Sequence, residues 1–222
     1  MEKQELKHFE NSDIRTFGRR HGKKLSIRKQ WLMDNLLPRI TPKAPDLSNK
    51  SLVLEIGFGN GEHLRDLALN NPDKIIIGAE PFANGVAALL SAITNESDNV
   101  LFDEYKNIRV WPDDVRLMLK DFENIKFDEI WVLHPDPWPK AKHEKRRLLN
   151  HGFLNLLSKF MTKDSCIIIG TDHWEYYDWI IEQLKKTNLS IKSTELATIK
   201  TRYQIKNKAG TTNPKYLILS LD

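Results

Sequence analysis

One cysteine, Cys166, in 222 residues excludes an internal disulfide. It lies in the apolar run Cys166-Ile167-Ile168-Ile169 and reads as a buried, inert thiol. No apolar stretch approaches the ~20 residues that a membrane span needs, and the polar start MEKQELKHFE is no signal peptide. A reducing cytoplasm is the expected location. His and Cys nowhere take metal-ligand spacing, so no metal is expected. The P-loop lysine and the G-x-G-x-x-G fingerprint are both missing, which argues against ATP- and NAD-linked chemistry. Neither an internal repeat nor a low-complexity segment is present.

Glycine is also scarce, with 10 residues, yet three of them, Gly57, Gly59 and Gly61, fall within five positions. They follow the apolar run Leu52-Val53-Leu54-Glu55-Ile56 and precede a helical pattern with Leu64, Leu67 and Ala68. A buried strand, a tight glycine turn and a helix start bring backbone close to a ligand in α/β folds. The spacing here is E-x-G-x-G-x-G. An acid at the strand's end repels phosphate and suits a cation or an amine. A second apolar run, Ile75 to Ala79, ends in Glu80, 19 residues past Gly61, near the ~20-residue offset at which a carboxylate meets ribose hydroxyls. Asp113 and Asp114 follow a third strand candidate, with Asp114 read as a helix N-cap. Acidic tips on three successive strands favour S-adenosylmethionine, which is cationic and carries no phosphate.

Charge is modest overall and uneven along the chain. Residues 15–29 carry +7, residues 140–147 carry +4 and residues 200–208 carry +4. With a net charge of +4, these +15 leave −11 on the rest. An acidic body with three basic patches is the footprint of a polyanion binder. Residues 1–24 have little apolar periodicity and read as a flexible basic arm; 25–222 read as one domain. Strands are expected at 52–56, 75–79, 107–111, 127–133, 165–170, 190–197 and 215–221. Helices are expected near 26–37, 62–70, 84–94, 115–121, 144–161 and 174–186. The first carries Ile27, Trp31, Leu32 and Leu36 on one side and is ended by Pro38, with an extended linker through Pro42 and Pro45. The alternation implies an α/β, doubly wound, mostly parallel sheet with helices on both faces and an antiparallel hairpin at its edge.

The strand ending at Leu133 runs into His134-Pro135-Asp136-Pro137-Trp138-Pro139-Lys140. Three alternating prolines stiffen this loop and fix Asp136 and Trp138. His134 reads as structural, and Trp138 either stacks on a base or packs against the domain. The basic run AKHEKRR that follows is expected at the start of a helix burying Leu148, Leu149 and Phe153.

PDPWPKAKHEKRR at 135–147, with LEIGFGNGEHL at 54–64, resembles the tRNA (guanine-N7-)-methyltransferase family of bacteria. The resemblance extends through TDHWE at 171–175 and TRYQ at 201–204, and the arm FGRRHGKKLSIRKQ fits one branch of the family. It implies a seven-stranded Rossmann-like methyltransferase fold, S-adenosylmethionine as donor, and a guanine in the variable loop of tRNA as acceptor. It assigns the cofactor to Glu55, Gly57, Gly59, Gly61, Glu80, Asp113 and Asp136, with Asp136 also catalytic. Lys140, Asp172, Thr201, Arg202, Tyr203 and Gln204 match substrate-binding positions. Lys142, His143, Glu144, Lys145, Arg146 and Arg147 match the RNA-binding segment. Gln204 stands where the family carries Glu. Asp172 with Glu175 also reads as a capping box at a helix start. The expected partner is tRNA, with no membrane, and the chain is expected to act as a monomer or homodimer.

Overall fold

The computed structural model describes residues 15–97, 99–122, 124–195 and 214–222. Seven strands form one sheet: β1 (Leu52–Ile56), β2 (Ile75–Ala79), β3 (Ile108–Trp111), β4 (Glu129–Leu133), β5 (Cys166–Thr171), β6 (Leu189–Ser193) and β7 (Lys215–Leu221). Their order is β3-β2-β1-β4-β5-β7-β6. The first five run parallel, with Leu54 beside both Ile77 and Ile130. β7 pairs antiparallel with β5 and β6. The expected doubly wound sheet with an antiparallel edge pair is the fold observed, and strand order reverses between β1 and β4.

The parallel strands read as continuous apolar runs because both of their faces are buried. Leu52, Leu54 and Ile56 face one core with Phe127, Ile130 and Val132. Val53 faces the other with Ile76 and Trp131. The first face is covered by α3 (Ala44–Leu47), α6 (Val115–Asp121), α7 (His151–Ser158) and α8 (Trp174–Leu184). The second is covered by α1 (Ile27–Asn35), α2 (Leu37–Ile40), α4 (Glu62–Asn70) and α5 (Ala83–Ala92).

Four local expectations are corrected. Pro38 does not end α1 but sits in the first turn of α2, and Pro45 likewise begins α3 rather than an extended linker; the first turn has no N–H bond for proline to break. Of the side expected to be apolar, only Leu32 on α1 and Leu36 at its C-cap are buried, whereas Ile27 is 92% exposed and Trp31 43% exposed. The basic run does not open a long helix. It forms a 3₁₀ turn, Ala141–Arg146, and α7 starts at His151, where the Asn150 side chain accepts the Phe153 N–H at 3.0 Å. Finally, the N-cap of α8 is His173 with no side-chain cap bond, so Asp172 does not form the expected capping box. Asp114 does cap α6, accepting from the Arg116 N–H at 3.0 Å. Cys166 is half-buried, and burial pushes its thiol up, away from the reactive thiolate.

Among the described residues, no helix is long and apolar enough to cross a membrane. Phe127 anchors the first core: its side chain is fully buried, its ring lies 6.4 Å from that of Phe160, and its N–H donates to the Phe160 carbonyl. Phe127→Ala should therefore cost about 3–5 kcal/mol in denaturant unfolding; a loss below about 1 kcal/mol would contradict this anchoring.

Candidate active site

The loops at the carboxyl ends of β1, β2, β3 and β4 converge on one cleft of about 430 Å³, the position where open α/β sheets bind ligands. Its floor begins with the glycine turn. Gly57, Gly59 and Gly61 all hold positive φ, at 77°, 57° and 76°, a region that side chains rarely adopt. A Cβ at Gly57 or Gly59 would meet nothing within 4 Å, so bare backbone faces open space there. The opposite wall of the turn is tight: a Cβ on Gly85, in the first turn of α5, would lie 2.4 Å from the Gly59 carbonyl oxygen.

Glu80 joins this turn to the next. Its Oε2 accepts the Gly59 N–H and its Oε1 accepts the Phe82 N–H, both at 2.8 Å. Each oxygen keeps a lone pair for a ligand hydroxyl. Burial pushes its carboxyl above the ordinary 4.5; the two N–H donors oppose that rise, and the charges of Asp136 and Glu55 add to it. Glu55 is buried at the end of β1, with Oε1 3.3 Å from His63 Nδ1. Its Oε2 has no hydrogen-bond partner among the described residues. A buried carboxylate oxygen without a donor is costly. Together with the empty space over Gly57 and Gly59, it fits a ligand that brings positive charge and hydroxyls.

Asp136 is exposed on the rim of the cleft, in the proline loop. The loop is held in a strained form, with His134 and Trp138 at φ 50° and 42°. The His134 N–H donates to the Gly170 carbonyl at 2.7 Å, and burial lowers the His134 pKa against the pull of Asp172. Arg147, the last residue of the basic run, is buried beneath the loop. Its Nε donates to the Pro137 carbonyl at 2.9 Å, and its guanidinium lies over the rings of Trp179 and Tyr176. Glu144 accepts the Trp179 indole N–H, which ties the 3₁₀ turn to α8. Burial pushes the Tyr176 hydroxyl up to about 12, so it stays neutral.

Residues 15–24 carry no helix or strand, and the stretch from Arg15 to Arg19 lines the cleft. Thr16 Oγ1 donates to Asp114 at 2.6 Å, Arg20 pairs with Asp113 at 2.6 Å, and the Ala83 N–H donates to the Arg20 carbonyl. Asp113 is therefore engaged by the arm, while Asp114, whose pKa is lowered by Arg116 and Thr16 against burial, lines the cleft.

The cleft gathers Gly57, Glu80, Asp136, Lys145, Arg146 and Arg147 from the expected site residues. Lys140, Lys142 and Asp172 are exposed outside it, Asp172 with its carboxylate 3.9 Å from His134 Nδ1. Thr201, Arg202, Tyr203 and Gln204 lie outside the described residues, as does the basic patch at 200–208. Sequence reasoning missed Thr16, Phe17 and Gly85. Only Phe17 left a trace, as the one Phe, Trp or Tyr among residues 15–29. No group of three or more His, Cys, Asp or Glu among the described residues could hold a metal ion.

Residues 49–213 match a family described as putative methyltransferase. A tRNA (guanine-N(7)-)-methyltransferase of Neorickettsia sennetsu is 34% identical over 195 residues, covering 87% of this chain and 85% of that protein. One from Zymomonas mobilis is 39% identical over 173 residues, 74% of this chain and 72% of that protein. One from Wolbachia pipientis is 42% identical over 141 residues, 64% of this chain and 61% of that protein. Among solved structures, an antibiotic-related methyltransferase superposes with a TM-score of 0.54 at 15% identity, over 90% of this chain and 97% of that one. A 16S rRNA methyltransferase gives 0.51 at 12%, over 90% and 95%. At such identities the two structures share the fold alone.

Glu80 yields a test with two readouts. Folded Glu80 keeps its proton to a higher pH than it does in the unfolded chain. Its contribution to stability is therefore greatest below about 4.5 and declines as pH rises through the raised value. Glu80→Gln should abolish that decline. It should also cost roughly 1–3 kcal/mol, because one of the two N–H donors then faces an amide NH₂. Denaturant unfolding at several pH values reads both, and a variant as stable as the parent throughout would refute the bridge.

Proposed function

The chain belongs to the tRNA (guanine-N7-)-methyltransferase family, and on that premise we propose that it transfers a methyl group from S-adenosylmethionine to N7 of a guanine in the variable loop of tRNA. The observation that carries this reading is a proline-braced carboxylate, Asp136, on the rim of the cleft whose floor is Gly57 and Glu80.

S-adenosylmethionine, when bound, supplies a methyl group activated by the positive charge on its sulfur. Glu80 would accept hydrogen bonds from the ribose hydroxyls with the lone pairs that Gly59 and Phe82 leave free. Gly57 and Gly59 would admit the ligand against the backbone. Glu55, with one carboxylate oxygen that has no hydrogen-bond partner among the described residues, adds negative potential that favours a cationic ligand. Glu55, Gly61 and Asp113 remain with Glu80 and Asp136 in the proposed cofactor set, Asp113 through the arm that it anchors.

Guanine N7 carries a lone pair and no proton, so this chain needs no general base. The N7 lone pair would form the new bond to the methyl group, and the electron pair of the methyl–sulfur bond would stay with sulfur. Positive charge passes to the guanine ring. Asp136, which lines the cleft, would stabilise that charge and would accept from the guanine N1–H or amino group. Alignment is the other contribution, and the braced loop holds Asp136 still for it.

The acceptor would be drawn by the exposed cations Arg15, Arg19, Lys23, Lys24, Lys140, Lys142 and Lys145. These suit phosphate contacts that read shape more than sequence. Asp172, Lys140 and Thr201 to Gln204 remain the proposed substrate contacts. Arg147, being buried, would act by bracing the loop rather than by touching RNA. The protein would work where tRNA is processed, in the cytoplasm.

Incubation with methyl-labelled S-adenosylmethionine and total tRNA should label tRNA, and borohydride with aniline should then cut the labelled chains at that guanine. Label without cleavage would refute N7 as the acceptor. Asp136→Asn should lower kcat by about 10²- to 10³-fold while KM for tRNA changes by less than about threefold. A parallel loss of both would contradict the role given to Asp136.

A further inference from the structure

The tRNA reading leaves one arrangement unused. Arg146 Cζ lies over the ring of Phe17 at 5.5 Å and over the ring of Trp138 at 4.9 Å. One ring comes from the arm and the other from the proline loop, 121 positions later in the sequence. Both rings and Arg146 line the cleft that holds Asp136. The arm approaches Asp136 at the next residue, since a Cβ on Gly18 would lie 3.8 Å from Asp136 Oδ2. Trp138 is held in a left-handed backbone conformation, with its ring perpendicular to that of His143 at a centroid separation of 5.7 Å. Arg146 Nε is buried and makes no hydrogen bond among the described residues. Two aromatic faces are thus turned toward one planar cation beside the proposed catalytic carboxylate.

We propose that Phe17 and Trp138 form the slot for the acceptor guanine, and that Arg146 fills this slot until the base enters. The proposal rests on the tRNA reading above and names the residues that hold its substrate. The chemical match is close. Guanine contains a guanidine unit within a planar ring, and N7 methylation makes that ring a delocalised cation. Aromatic faces attract a planar cation more than its neutral counterpart. The slot therefore binds the transition state, in which charge is arriving, better than the ground state, and that difference raises kcat. Arg146, once displaced, has its guanidinium free for a phosphate of the incoming strand. This makes the arm a supplier of one substrate-stacking ring as well as of charge.

The test uses the full chain with a tRNA substrate. Phe17→Leu and Trp138→Leu keep apolar bulk and remove the π face; Phe17→Tyr and Trp138→Phe keep the face. The leucine variants should lose about tenfold in kcat, and the aromatic variants should stay within about threefold of the parent. Affinity for S-adenosylmethionine, by calorimetry, should be unchanged in all four. As an inhibitor of the parent, 7-methylguanosine should be stronger than guanosine, and Phe17→Leu should narrow that gap. A Phe17→Leu variant with the parent's kcat overturns the proposal. So does one whose donor affinity falls in step with kcat, because the arm would then serve only to cover the donor. Failure of the parent to methylate any tRNA would instead overturn the functional reading, whereas an active parent indifferent to Phe17 would leave that reading standing.

Discussion

The Glu80 carboxylate, shared between the Gly59 and Phe82 N–H groups, is the contact on which the site depends. Neither turn can set the cleft alone. The glycine turn needs an acceptor for an N–H whose peptide is held at positive φ, and the β2–α5 turn needs one before α5 can start. One buried carboxylate answers both, at the cost of a raised pKa. It also fixes the close approach of Gly85 to the Gly59 carbonyl, which locks α5 against the turn. The Glu80 oxygens and the bare backbone of the glycine turn are thereby positioned by the same two bonds.

Around that floor the remaining walls are held from a distance. Arg147 is bracketed by aromatic rings of α8 and grips the carbonyl of Pro137, so the proline loop is braced by a helix some forty residues further along. Thr16 and Arg20 reach Asp114 and Asp113 across more than ninety positions. An exposed ion pair such as Arg20–Asp113 contributes little net stability; the value of these two contacts is to place the arm, and Phe17 with it, over the cleft.

The sheet was legible in the sequence because its parallel strands are buried on both faces and so appear as unbroken apolar runs. The glycine turn and Glu80 were legible for a related reason, since their spacing reflects the local geometry of one strand–turn–helix unit. What escaped was long-range. Arg147 looks like any other member of a basic run until Trp179 and Tyr176 are brought beside it. The start of α7 was misjudged because Leu148 and Leu149 continue an apolar pattern that the Asn150 cap interrupts. Asp172 shows the converse error, a cap signal in sequence that the backbone leaves unused. The path of residues 15–24 has no periodicity to betray it, because its contacts are with Asp113, Asp114 and Asn84 rather than with an apolar face.

Donor recognition by buried acids over a bare glycine turn is the claim from which the chemistry follows. Isothermal titration of S-adenosylmethionine and of its demethylated by-product, S-adenosylhomocysteine, into the purified chain tests it most directly. The account predicts a single saturable site for each, competitive with the other. Absence of binding heat for both compounds at millimolar concentrations would contradict it.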